Sequence, residues 1–351
     1  MCFSKALAVF SLLLPLSLHA AEPLKISLPT DNRALLEEKP EDFYMYVHRS
    51  FEGQSSKPWT AGQYGFVRTL VKTEKEGVIA TKFHEGLDIK PVKRDGRGNP
   101  TDEVRAIAGG TVVYVNPNSG GSNYGKYVVI EHNWGYGPFY SLYAHLASVS
   151  VKKKQRLLGG TPLGKMGYTG VGLNRERAHL HLELNMLASE NFDDWHEAVF
   201  KGKNPHGIAN GMNLVGIDIA SLYLAQRSDP NVTIPNFLKG ASPYFKVAVP
   251  RTGPLEIVER YPWLKRGTHE ADSPSWEISF TDSGIPLSVA PSHRLVEKPS
   301  VTYVRSTRSK HSYYTRKRLT GSGRKASLSK SGQNFIALFT NIHTKPSSDD
   351  S

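Results

Sequence analysis

The chain has 351 residues, enough for one large or two ordinary domains, and its 39% hydrophobic and 22% charged residues exclude wholesale disorder. The formal net charge of +12 favours contact with polyanions in general without identifying one. The single cysteine, Cys2, lies in the N-terminal segment described next. The rest of the chain therefore has no disulfide, no cysteine nucleophile and no sulfur ligand for a metal.

Residues 1–21 have the layout of a secretory signal peptide. One lysine precedes a largely apolar run at 6–18, and the following residues end in Ala20 and Ala21, which are small enough for cleavage. The run is shorter than the ~20 residues that span a bilayer and contains Pro15, so export with cleavage is favoured over a membrane anchor. We therefore expect a secreted or periplasmic protein.

After a polar segment at 22–58, the pattern over residues 59–205 is rich in predicted strands. Short β-branched or aromatic runs occupy residues 111–115, 127–131 and 139–143, with turn-prone clusters between them. Because no helices lie between these runs, the pattern predicts an antiparallel sheet.

The second half of the chain contains predicted helices and then predicted strands again. Helices are predicted at 191–200 and 217–226, the latter within a helical connector at 206–242. A smaller all-β domain is predicted over residues 243–345, before a polar tail at 346–351. Its strand candidates are residues 245–249, 276–280, 300–304 and 335–339.

The first chemical motif joins His84 and Asp88, four residues apart. Gly86 between them, with a β-branched residue and a proline shortly after, argues against a helix. A straight strand would separate the two Cα atoms by ~13 Å, too far for both side chains to reach one zinc ion. A shared metal therefore requires the chain to bend, which Gly86 permits.

Two further motifs carry histidines. Residues 178–184 alternate strictly, so His179, His181 and Glu183 share one face of a predicted strand and leucines occupy the other. A solvated polar face is the alternative for this strand, and Glu85 and Glu183 are either supporting carboxylates near the site or merely exposed ones. His145 follows the strand at 139–143 and, taken alone, is equally consistent with a structural role.

Taken in order, the three motifs resemble the lysostaphin/LytM-type zinc metallopeptidases of peptidase family M23. The connecting segments at 106–113, 127–132 and 163–170 agree, and the resemblance covers about residues 83–183. It implies a mainly β fold whose antiparallel peptidase domain is of the duplicated hybrid motif, or barrel-sandwich, type.

The resemblance also implies the site. His84, Asp88 and His181 correspond to the three Zn²⁺ ligands, which leave a fourth position for water, and His145 and His179 correspond to the catalytic pair. The implied reaction is hydrolysis of amide bonds in peptidoglycan stem or cross-bridge peptides by a zinc-activated water. One free histidine would take the proton of that water and the other would stabilise the oxyanion, in an order that the sequence leaves open.

Two segments depart from the family pattern. Residues 174–177 are charged where a short small-residue turn is usual, and the connection at 91–103 is longer than usual. The first is interpreted either as a loop that alters substrate choice or as a solvated loop, and the second either as a flap at the cleft or as a surface loop.

Two other functions compete with catalysis. One is a non-catalytic, wall-bound regulator that activates a separate amidase, and the other is a zinc-binding adhesin. Because such regulators usually lose a metal or catalytic residue and this chain keeps all five, hydrolysis is favoured.

A basic segment runs from Arg305 to Lys330, with nine Lys and Arg residues and no Asp or Glu. We hypothesise that it binds anionic envelope polymers or lipid head groups, with Arg316, Lys317 and Arg318 contributing. A solvated charged hairpin is the alternative. No nucleic-acid partner is expected.

Overall fold

The computed structural model describes residues 23–268 and 272–340. The predicted signal peptide and the predicted polar tail lie outside the described residues. Within them, no helix is long and apolar enough to cross a membrane.

The first half of the chain consists of short strands with one helical turn near its start. Helix α1 spans Pro40–Phe43, and a 3-10 turn spans Trp59–Gly62. The strands are β1 (Arg49–Phe51), β2 (Gln54–Ser56), β3 (Gly65–Thr73), β4 (Gly77–His84), β5 (Leu87–Ile89), β6 (Glu103–Arg105), β7 (Gly110–Asn116), β8 (Tyr127–Asn133), β9 (Pro138–Ala144), β10 (Leu146–Val149), β11 (Arg156–Leu157), β12 (Pro162–Met166) and β13 (Leu180–Leu187).

The second half alternates helices with two small sheets. Its helices are α2 (Phe192–Phe200), α3 (Ile219–Ser228), α4 (Ile234–Lys239), α5 (Glu256–Arg260) and α6 (Lys330–Thr340), with 3-10 turns at Gly207–Ala209, Pro262–Leu264 and His311–Tyr313. Its strands are β14 (Leu214–Ile217), β15 (Phe245–Pro250), β16 (Ser275–Phe280), β17 (Pro286–Ser292), β18 (Ser300–Val304), β19 (Thr307–Lys310), β20 (Leu319–Gly323) and β21 (Lys325–Leu328).

The main sheet is antiparallel, in the order β11-β7-β8-β9-β13-β14, and β5 also pairs with β13. Strand β13 is therefore central: β9 lies on one side, and β5 and β14 divide the other side between them. Its residues Leu180, Leu182 and Leu184 are fully buried in the main hydrophobic core. The predicted antiparallel, mainly β fold class is confirmed, and β7, β8 and β9 occupy the three predicted runs.

Smaller sheets surround the main one. Strands β3 and β4 form a long hairpin, β10-β12-β6 form a three-stranded sheet, and β17-β16-β15-β18 and β19-β20-β21 lie in the C-terminal part. Helices α2 and α3 confirm the two helix predictions, and Asp218 caps α3 by accepting a hydrogen bond from the backbone N–H of Ser221. Within residues 206–242, β14 additionally joins the main sheet.

The strand prediction for residues 335–339 is wrong, because this segment lies inside α6. The Ser329 hydroxyl accepts a hydrogen bond from the backbone N–H of Gly332 at the helix start. Phe335 and Phe339, one helical turn apart, are both buried, with ring centroids 5.0 Å apart. A run of five mostly apolar residues fits either element, and here the packing of one helical face selects the helix.

The basic segment is folded into β19, β20 and β21 rather than a simple hairpin. Arg316 forms an ion pair with Glu85, and Arg318 is buried with its guanidinium over the ring of Phe335. Both arginines therefore make inward contacts, which do not favour their hypothesised part in binding anionic polymers or lipid head groups. Lys317 is the member of that trio without such an inward contact.

Residues 23–58 lie against the main sheet rather than apart from it. The backbone N–H of Ser27 donates to the carbonyl of Ile107, and that of Met45 donates to the carbonyl of Asp88, at 2.8 and 2.7 Å. Phe43 and Tyr44 are buried in the shared core. This segment thus supports the strand that carries Asp88.

Candidate metal centre

Three side chains meet where the chain bends between β4 and β5. His84 ends β4, β5 begins at Leu87, and Asp88 pairs across the sheet with His181 of β13. A Cβ atom on Gly86 would lie 2.3 Å from the carbonyl oxygen of Leu182, so only glycine allows this close approach. The bend expected from the sequence is present, and it brings both ends of the motif to β13.

The atoms presented by these three side chains form a nearly equilateral triangle. His84 Nε2, Asp88 Oδ1 and His181 Nδ1 are separated by 3.1 Å along each edge. In a tetrahedral zinc site with bonds of about 2.0–2.1 Å, neighbouring ligand atoms lie about 3.3 Å apart. All three residues are buried. The donor set and its spacing fit a zinc ion held by two imidazoles and one carboxylate.

Hydrogen bonds orient each histidine for this role. His84 Nδ1 lies 2.8 Å from the carbonyl oxygen of Gln63, which can only accept, so the proton is on Nδ1 and the lone pair of Nε2 faces Asp88. His181 Nε2 lies 2.7 Å from Glu183 Oε1, so its Nδ1 is the nitrogen left for a metal.

Glu183 is a buried supporting carboxylate, only 1% exposed, so the alternative of a solvated polar face on this strand does not hold. The hydroxyl of Tyr124 donates to its Oε1 and the amide of Asn185 donates to its Oε2. Burial opposes protonation of His181, yet its bonds to Asp88 and Glu183 outweigh burial and raise its pKa to about 9. The same carboxylate that stabilises this charge also makes the imidazole a more basic ligand.

Arg68, which the sequence did not indicate, forms an ion pair with Asp88. It reaches the site from β3, whose pairing with β4 shifts register between Phe66 and Arg68. Although burial alone would raise the pKa of Asp88, His179, His84 and Arg68 hold it well below its usual range. Asp88 is therefore ionised, as a metal ligand must be.

Thr69, beside this irregularity, has φ of +55°, a conformation that is strained for a β-branched residue. Replacing Thr69 with Gly is expected to raise the free energy of unfolding by about 1 kcal/mol, because glycine adopts this conformation without a Cβ clash. The matched variant Thr69→Ala keeps the Cβ atom and is expected to gain little. Urea denaturation measures both, and a less stable Thr69→Gly protein would contradict the prediction.

The two candidate catalytic histidines lie beside the triangle. His145, at the end of β9, has its Nδ1 2.9 Å from the carbonyl oxygen of Thr169, and His179 has its Nδ1 2.7 Å from that of Arg177. Their ring centroids are 4.9 Å apart, and His179 Nε2 lies 3.2 Å from Asp88 Oδ1. Burial, with the neighbouring His179 and His181, holds the pKa of His145 well below its usual range. His145 is thus uncharged at neutral pH and keeps an unprotonated Nε2.

The family model of Peptidase family M23 matches residues 82–193, which include all five of these residues. This part of the chain is similar to the M23 family. The resemblance seen in the sequence is confirmed.

Individual relatives match shorter or more distant stretches. Outer membrane antigenic lipoprotein B of Histophilus somni is 36% identical over 87 residues, which are 25% of this chain and 22% of that protein. This chain thus spans about a fifth of the length of that curated relative.

Solved structures of M23-type peptidases are also similar. A zinc-containing peptidase from Vibrio cholerae is 25% identical, with a TM-score of 0.25 and coverage of 41% of this chain and 36% of that one. The catalytic domain of lysostaphin from Staphylococcus simulans is 22% identical, with a TM-score of 0.25 and coverage of 40% and 79%.

A cleft of about 670 Å³ opens onto this site. Asp88, His145, His179 and His181 lie on its wall, together with residues of β1, β3 and β4. Asp88 and His181 are therefore reachable from the cleft, while Glu183 and Asn185, which support His181, are buried.

The two segments that depart from the family pattern contact each other. The guanidinium of Arg94 donates to the carbonyl of Arg175 at 2.8 Å, and the carboxylate of Glu176 accepts from the hydroxyl of Tyr46 and from Lys57. Residues 174–177 are thus bonded both to the 91–103 connection and to the N-terminal segment. This fixes the position of Arg177, whose side chain lines the cleft.

Proposed function

We propose that this protein is a zinc metalloendopeptidase that hydrolyses amide bonds in peptidoglycan stem or cross-bridge peptides. The observation that carries the proposal is the triangle of His84 Nε2, Asp88 Oδ1 and His181 Nδ1, with 3.1 Å edges, of which Asp88 and His181 line an accessible cleft. The M23 family match supports the reaction class. We further propose that the protein acts in the cell envelope after removal of residues 1–21.

In this proposal the three residues of the triangle hold Zn²⁺. When bound, zinc supplies Lewis-acid activation of water and of the substrate carbonyl. Glu183, fixed by Tyr124 and Asn185, orients His181 and increases its basicity. Arg68 holds the second oxygen of Asp88 and leaves Oδ1 turned toward the two histidines.

The remaining two histidines, His145 and His179, are proposed to transfer a proton and to stabilise the oxyanion. His145 is held uncharged with its Nε2 free, so it is suited to accept a proton at neutral pH. His179, whose ring lies beside that of His145 and whose Nε2 is 3.2 Å from Asp88 Oδ1, is placed to donate a hydrogen bond to a developing oxyanion. We therefore propose His145 as the proton acceptor and His179 as the oxyanion donor.

Two rival functions retain the fold but predict no turnover. A regulator of a separate amidase needs neither zinc nor an open cleft, and a zinc-binding adhesin needs zinc but no catalytic pair. Four of the five residues line one cleft here, and the fifth, His84, contacts Asp88 and His181 directly behind it, which favours catalysis.

Incubation of the zinc-loaded protein with purified sacculi, followed by mass analysis of released muropeptides, tests the proposal. We expect soluble fragments whose masses identify the cleaved amide bond, and no release after chelation. Full zinc occupancy without any release would support the adhesin, and release only when a separate amidase is added would support the regulator.

A further inference from the structure

The cleft wall carries an excess of positive charge. Among the described residues that line it, Asp88 is the only carboxylate, and Arg68 already forms an ion pair with it. Arg49 from β1, Lys82 from β4 and Arg177 from the segment before β13 line the same cleft. Three separate parts of the chain thus place cations around one space.

These three cations are not neutralised by acidic residues within the described part of the chain. Arg49 donates to the carbonyl of Val67, which carries no charge, and Lys82 is exposed with no acidic partner. By contrast, Lys57 and Lys72, outside the cleft wall, each form an ion pair with a glutamate. Three cations without an acidic partner among the described residues therefore line the cleft.

Arg177 gives the most specific indication. Its Nε atom is buried and has no hydrogen-bond partner, although a buried donor without an acceptor is costly. The adjacent Glu176 is bonded to Tyr46 and Lys57. A ligand with a carboxylate would supply the missing acceptor, because a guanidinium binds carboxylates through two parallel hydrogen bonds.

Arg177 also lies close to the candidate catalytic pair. Its backbone carbonyl accepts the hydrogen bond from His179 Nδ1, so its side chain starts two residues from a candidate catalytic group. Apolar side chains, among them Leu70, Val171 and Leu173, complete the wall. This combination suits a short peptide that carries aliphatic side chains and a carboxylate near the cleaved amide.

We propose that the cleft selects its peptide substrate through a free carboxylate on a residue next to the cleaved amide, bound by Arg177 with Lys82 and Arg49. The substrate class is then an acidic stem peptide rather than an uncharged oligoglycine bridge. This inference rests on the proposed function, since it concerns the same cleft.

The test uses peptide pairs that differ only in charge. In one pair the residue next to the cleaved amide is D-glutamate or D-glutamine, and in the other the peptide ends in a carboxylate or a carboxamide. Each peptide is made in a cleavable form and in a non-cleavable ketomethylene form. Binding of the latter to the zinc-loaded full chain, by calorimetry, is independent of hydrolysis, so failure of the inference and failure of the proposed function give different results.

We expect the acidic peptide of at least one pair to bind at least tenfold more tightly than the corresponding neutral peptide. The identity of that pair shows whether a side-chain or a terminal carboxylate is recognised. Arg177→Gln keeps the backbone carbonyl that holds His179 and is expected to reduce the ratio to below threefold. Lys82→Gln, at an exposed position, should reduce it in the same direction. Lys75→Gln, in the exposed turn between β3 and β4, is the matched control and should retain the full ratio.

Two results would overturn the inference. One is binding of acid and neutral peptides within twofold of each other by the unaltered protein in both pairs. The other is equal weakening of both members of a pair by Arg177→Gln, which would indicate a structural role for the arginine.

Discussion

Replacing His181 with Ala is expected to abolish zinc binding and muropeptide release together. The substitution removes one of three candidate ligand atoms, and it leaves the buried carboxylates of Asp88 and Glu183 without their shared imidazole partner. Groups that merely orient a metal ligand cost 10–100-fold in affinity when lost, so we expect a loss of more than ~100-fold here. Zinc content after dialysis, by mass spectrometry, and muropeptide release measure the two effects.

His132→Ala is the matched control, because His132 is also a buried histidine of the main sheet. It contacts the carbonyl of Gly109 and the hydroxyl of Ser141, and not the candidate metal ligands. We expect this variant to be less stable but to retain zinc. Stoichiometric zinc in His181→Ala, or zinc loss in both variants, would refute the assignment of His181 as a ligand.

The candidate site could be predicted from the sequence because its residues follow from strand alternation and from chain geometry over a few neighbouring residues. Strict alternation placed His179, His181 and Glu183 on one face of a predicted strand. In the structure His181 and Glu183 lie on β13, His179 directly precedes it, and the leucines between them are in the core. The distance argument required a bend at Gly86, and the structure shows the reason that glycine is needed: the backbone of Leu182 passes too close for any Cβ atom.

The supporting residues could not be predicted, because they depend on contacts between distant segments. Arg68 reaches Asp88 only because the β3–β4 pairing is irregular, and no local pattern reveals the register of a hairpin. Tyr124 reaches Glu183 from a loop between β7 and β8. The composition of the basic segment likewise does not predict that Arg318 points into the core and packs against Phe335.

His145→Ala and His179→Ala are expected to retain most of the bound zinc yet lose turnover. Neither side chain belongs to the triangle of candidate ligand atoms, although both rings lie beside it. Loss of a positioned proton-transfer group typically costs 10²–10⁴-fold in rate. We therefore expect muropeptide release by each zinc-loaded variant to fall by about that factor.

The double variant distinguishes a cooperating pair from two independent residues. If His145 and His179 act on the same step, the double variant should be little slower than the slower single variant, because effects of residues that act as a unit are not additive. Zinc content, measured in parallel, is the control. Zinc loss in His179→Ala comparable to that in His181→Ala would contradict this prediction and make His179 a ligand. Its Nε2 lies 3.2 Å from Asp88 Oδ1, close enough for that alternative.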